Sequence, residues 1–118
     1  MPGEVIEKHQ LAGFDERERG FNRQVEIDRH ERTYRASFRY ETTLVATERR
    51  DTQAAALAEL VVMLHARGYQ QLRSRLSFQG GNYLGSQETW IEYPDPPRFH
   101  TFWRSLTERI RRLWAPHT

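Results

Sequence analysis

From Tyr34 to Thr47 the side chains alternate with a period of two, and at Asp51 the period changes to that of a helix. Tyr34, Ala36, Phe38, Tyr40, Thr42, Leu44 and Ala46 share one face of an extended chain. Arg35, Ser37, Arg39, Glu41, Thr43, Val45 and Thr47 share the other. The spacing favours one long strand over two strands joined by a bulge near Glu41-Thr42. After it, Asp51 or Thr52 caps a helix whose stripe is Leu57, Leu60, Val61 and Leu64, and Gly68 supplies the left-handed residue that ends it.

The same reading extends to both sides. Phe21, Val25 and Ile27 alternate with polar residues, and Asp28–Arg32 reads as a hairpin connection. Gln70–Phe78 and about Gln87–Tyr93 read as strands linked through Gly80-Gly81-Asn82. Asp95, with prolines around it, starts a last helix, Arg98–Trp114. Residues 1–20 mix charge and glycine with scattered apolar positions and read as a flexible N-terminal arm. The expected fold class is therefore α+β: an antiparallel sheet of about four strands with two helices packed on it, in the order ββαββα. Residues 21–118 form a single domain of this kind, a size the 118-residue chain suits.

The chain has no cysteine, which removes disulfides, thiolate metal ligands and a cysteine nucleophile. The first residues hold no apolar secretory core, and the longest apolar stretch, Ala54–Ala66, carries Glu59 and is too short to span a bilayer. A cytoplasmic location is the expectation. Every basic residue except Lys8 is arginine, although the net charge is only +2. Residues 98–118 alone sum to +4, the one segment of marked sign.

Two surfaces stand out as surplus to a simple core. Between Gln53 and Gly68 only Glu59 and Arg67 carry full charge, so Ala55, Val62 and Met63 make the far side of that helix apolar as well. A helix apolar most of the way round is covered on two sides. In Arg98–Trp114 the apolar residues, Trp103 and Trp114 among them, fall within one arc with arginines outside it. Both point to a protein partner or to self-association, and a basic amphipathic helix also fits an anionic membrane surface. A second set is the arginines: Arg35 and Arg39 on one strand face, Arg73 and Arg75 on another, and Arg109, Arg111 and Arg112 near the end. On a common face, beside Tyr69 or Tyr83, they would suit nucleic acid.

Catalysis finds little footing. The five histidines have no HxH or HExxH spacing, and no nucleophile elbow or phosphate-binding glycine loop occurs. Glu88 and Glu92, four apart on a strand, would sit about 13 Å from each other, too far for a paired acid and base. The sequence predicts no cofactor and no metal. It predicts a non-enzymatic interaction or accessory protein acting through protein contacts. Nucleic-acid or anionic-surface binding is the alternative, and an enzyme with a small-molecule site near residues 82–90 comes third.

Overall fold

The structure, a computed structural model, describes residues 3–85 and 87–96. Its elements are strands β1 (Glu4–Phe14), β2 (Gly20–His30), β3 (Thr33–Tyr40) and β4 (Thr43–Ala46), helix α1 (Gln53–Ala66), then β5 (Gln70–Gln79), β6 (Asn82–Tyr83) and β7 (Ile91–Glu92). They form one antiparallel sheet in the order β4-β3-β2-β1-β5-β6, with β7 also pairing β5. The description α+β fits coarsely, but the expected four strands, two helices and ββαββα order do not. Among the described residues seven strands carry one helix. The predicted last helix lies outside them.

The largest correction concerns residues 1–20. The expected flexible arm contains β1, an 11-residue strand at the centre of the sheet, hydrogen-bonded to β2 on one side and β5 on the other. Its periodicity is hidden for a physical reason. A bulge at Ile6, between Val5 and Glu7, puts the residues on its two sides out of phase, while the shifts at Lys8/His9 and Ala12/Phe14 place their extra residues on β5. Its helix-side positions also include Glu7 and His9, polar residues where a strand signal needs apolar ones. At Gly13 the β1 and β5 backbones approach so closely that a Cβ would stand 2.8 Å from the Gln70 carbonyl oxygen.

Residues 34–46 are a hairpin rather than one strand. The chain turns at Glu41-Thr42, with Glu41 at φ 56°. Glu31, in the turn between β2 and β3, has φ 58°. Neither turn carries the glycine or asparagine that usually marks a left-handed position, which is why the alternation reads straight through the second one.

Helix α1 lies chiefly over the β2–β4 half of the sheet, with Leu11 of β1 and Leu72 of β5 joining the same core. Leu57, Leu60, Val61 and Leu64 of the helix pack with Val25, Ile27, Ala36, Phe38 and Val45. Phe21, Phe38, Tyr40 and Tyr69 close the end of this core, with neighbouring ring centroids 5.3–6.3 Å apart. Each large side chain so buried contributes about 1.5–3 kcal/mol. The helix begins as expected, the Thr52 hydroxyl accepting from the Ala55 N–H at 3.0 Å. It ends through Gly68 at φ 97°, after which the Tyr69 N–H donates to the Leu64 carbonyl.

The β1–β2 turn is clasped by Asp15, whose side chain is fully buried. One carboxylate oxygen accepts from the Arg17 and Arg19 N–H groups, the other from Arg19 Nε and the Tyr40 hydroxyl, all at 2.9–3.0 Å. Burial pushes the Asp15 pKa up, but these donors outweigh it and hold the carboxyl below its ordinary value. The same bond stabilises the Tyr40 O–H and raises its pKa.

Candidate interaction surfaces

The half of the sheet beyond the flank of α1 leaves a groove of about 500 Å³. Its sheet side consists of Glu7 and His9 of β1, joined through a 3.0 Å contact between His9 Nε2 and Glu7 Oε1. Its walls are Gln53, Ala54, Leu57 and Ala58 of the helix and, opposite, Ile91 and Tyr93. Tyr93 is fixed at both ends: its N–H donates to the Leu72 carbonyl, and its hydroxyl lies 2.6 Å from Ser74 Oγ. The walls are thus mainly apolar and the floor polar. On the helix, exposed Ala54, Ala55, Ala58 and Val62 continue the apolar surface away from the groove.

The opposite face of the sheet carries no helix among the described residues, and the pairing register arranges its side chains in rows across the strands. One row runs Glu26, Lys8, Phe78, Tyr83. A second runs Gln24, Gln10, Arg75 and, continuing the β5–β7 register by one residue, Trp90. A third runs Asn22, Ala12, Arg73, Glu92. Trp90 lies over both arginines, with its ring centroid 4.5 Å from the Arg75 guanidinium and 5.0 Å from that of Arg73. Gln10 Oε1 accepts from Arg75 at 2.6 and 3.1 Å. The Lys8 ammonium stands 5.2 Å above the Phe78 ring, which packs against Tyr83.

The predicted residues divide between these surfaces. Ala55 and Val62 are exposed on α1, whereas Met63 is half-buried and packs against the core. Arg73 and Arg75 converge under Trp90. Arg35 instead pairs with buried Asp28 at 3.2 Å, and Arg49 reaches the other Asp28 oxygen at 2.6 Å, off the hydrogen-bond axis. Arg39 is exposed on β3. Two strands separate β3 from β5, which at about 4.8 Å per step puts roughly 14 Å between the two arginine pairs. The four arginines therefore form no single stripe. Tyr69 is not available for stacking: it is buried in the core on the helix side. Trp103, Trp114, Arg109, Arg111 and Arg112 lie outside the described residues.

Of the predicted small-molecule region, Asn82 and Tyr83 form β6 at the sheet edge, and Glu88 lies in a loop rather than on one strand with Glu92. A cleft of about 360 Å³ lies nearby but is lined by residues 71–73 and 92–95. Trp90 closes the predicted 82–90 region, but its place over Arg73 and Arg75, which depends on a two-residue strand, gave no sequence signal, and neither did the groove residues Glu7 and His9, which depend on β1. The spacing of Ala54 and Ala58, four apart on a helix, was the one visible sign of the groove wall.

Two further groups, besides Asp15 and Tyr40, carry shifted pKa values. Desolvation by burial lowers His65, against the smaller opposing pull of Asp95 Oδ1 3.6 Å away. Burial, reinforced by Glu16 and Asp15, pushes Tyr69 up to about 12, and its hydroxyl has no partner among the described residues. Neither group faces the groove lining or the arginine rows. Among the described residues no three metal-ligating side chains cluster, and no helix is long and apolar enough to cross a membrane. The chain matches no protein-family model, no curated protein and no solved structure.

Proposed function

We propose that this chain is a non-catalytic, cytoplasmic interaction module whose groove beside α1 receives an amphipathic helix of a partner protein. The observation that carries the reading is the exposed apolar pair flanking the groove, Val62 at 65% and Ile91 at 59%. Apolar surface of this kind, continuous with a concave seat, marks contact sites rather than ordinary solvated surface. The small side chains of Ala54, Ala55 and Ala58 let another helix approach closely, and large apolar anchors from that helix fill the space between Leu57 and Tyr93. Glu7 and His9 on the floor then favour a partner that presents a hydrogen-bonding or cationic group at the centre of its apolar face.

The test is selection of helical peptides against the full chain, followed by two variants. Ala58→Arg places a charged stem in the groove at an exposed position, and Leu44→Arg places the same stem on the opposite face. The reading expects Ala58→Arg to abolish binding of the selected peptides and Leu44→Arg to leave it unchanged. Equal binding by both variants refutes it, as does a light-scattering result in which Ala58→Arg converts a stable dimer to monomer, which assigns the groove to a second copy of the chain.

A further inference from the structure

We infer that the sheet face opposite α1 binds single-stranded nucleic acid across β1, β5 and the β6/β7 edge. The inference is independent of the groove, which lies on the other side of the sheet. Three cations, Lys8, Arg73 and Arg75, and three aromatic rings, Trp90, Phe78 and Tyr83, occupy adjacent cross-strand rows. Among the described residues none of the three cations is within ion-pair distance of a carboxylate, in contrast to Arg19, Arg35, Arg49 and Arg50. Two carboxylates share the rows, Glu26 opposite Lys8 and Glu92 opposite Arg73. They lower the local charge without neutralising a specific cation.

The geometry suits an unpaired strand better than a duplex. Arg75 is held by Gln10 and lies under the Trp90 indole, so its guanidinium is ordered before any ligand arrives. Tyr83, 70% exposed, offers a second plate beyond Phe78. The row of Trp90 and the row of Tyr83 are separated by a step along β5, so bases splayed from a flexible strand stack on them in turn while phosphates meet the cations within and beside the same rows. A base-paired duplex presents no such faces. Because every base has a π-face, stacking of this kind tolerates many sequences.

The experiment is fluorescence anisotropy of a labelled oligodeoxythymidine titrated with the full chain. Three phosphate contacts on a single strand give a log–log salt slope of about −2, so affinity falls about 20-fold between about 50 and 200 mM salt. Trp90→Ala is expected to weaken binding at least about fivefold, and Trp90→Tyr to restore most of it. Arg73→Ala with Arg75→Ala is expected to weaken binding and flatten the salt slope, whereas Glu92→Gln is expected to tighten it. All four positions face solvent at least in part, and matching thermal midpoints establish that the variants fold. Absence of binding at the lower salt overturns the inference. So does binding that survives Trp90→Ala and the double arginine variant but disappears with Arg109→Ala, Arg111→Ala and Arg112→Ala together. Preference for the duplex, or for phosphatidylserine vesicles over the oligonucleotide, overturns it equally.

Discussion

Replacing Asp15 by alanine tests whether the β1–β2 turn holds the centre of the sheet in place. The carboxylate is fully buried and accepts from two backbone N–H groups, the Tyr40 hydroxyl and Arg19 Nε. Arg19 is close to half exposed, so its ion pair is screened and contributes little. The remaining three donors lose an ionised acceptor, at about 1–3 kcal/mol each when left unsatisfied. Water reaches the two backbone groups in the variant more easily than it reaches Tyr40, which brings the expected loss to about 3–5 kcal/mol. Urea unfolding followed by circular dichroism measures it as a fall in midpoint of roughly 1–5 M at ordinary slopes. Asp15→Asn keeps one acceptor oxygen and should lose about half as much. The sign of the pH effect follows from the lowered pKa. Asp15 contributes its full stability above the unfolded value, near 4, and loses it as pH falls through the lower folded value. Asp15→Ala should remove that part of the acid sensitivity. A loss under about 1 kcal/mol, with unchanged acid sensitivity, would refute the reasoning.

Other outcomes follow from the same geometry. The lowered pKa of His65 means that the unfolded chain takes up a proton first, so stability should decline as pH falls below about 6.5, and His65→Gln should flatten that decline in urea titrations between pH 7 and 5. Gly13→Ala should cost about 1–3 kcal/mol in the same assay, because its Cβ would press on the carbonyls of Gln70 and Gln71. Thr52→Ala should cost about 1 kcal/mol by removing the acceptor at the helix start, with unchanged helix content by circular dichroism.

The parts of the fold that were legible in the sequence are those whose signal is local. The α1 span follows from Thr52, the Leu57–Leu64 stripe and Gly68, and the approximate places of β2, β3 and β5 follow from their apolar and polar patterning, although the end of β3 and the irregularities of β5 do not. What stayed hidden depends on partners distant in sequence. β1 becomes a strand because β2 and β5 flank it, although its bulge at Ile6 and its helix-side Glu7 and His9 obscure the alternation. The Glu41-Thr42 turn is imposed by the pairing of Arg39 with Leu44, since a glutamate at positive φ gives no turn signal. The candidate surfaces follow the same division. Val62 and Ala55 were visible as apolar positions out of place on a helix, and Arg73 with Arg75 as a pair on a strand. Their neighbours Ile91, Tyr93 and Trp90 emerge only once β7 docks on β5.

The most direct measurement of the groove's role is amide chemical-shift mapping on the isotope-labelled full chain as a selected helical peptide is added. Shifts concentrated at Glu7, His9, Ala54, Ala58, Ile91 and Tyr93, with Arg39, Leu44 and Arg75 unmoved, are the predicted result. Shifts centred on the arginine rows, or none at the groove while peptide binds, would contradict the assignment of protein recognition to this face.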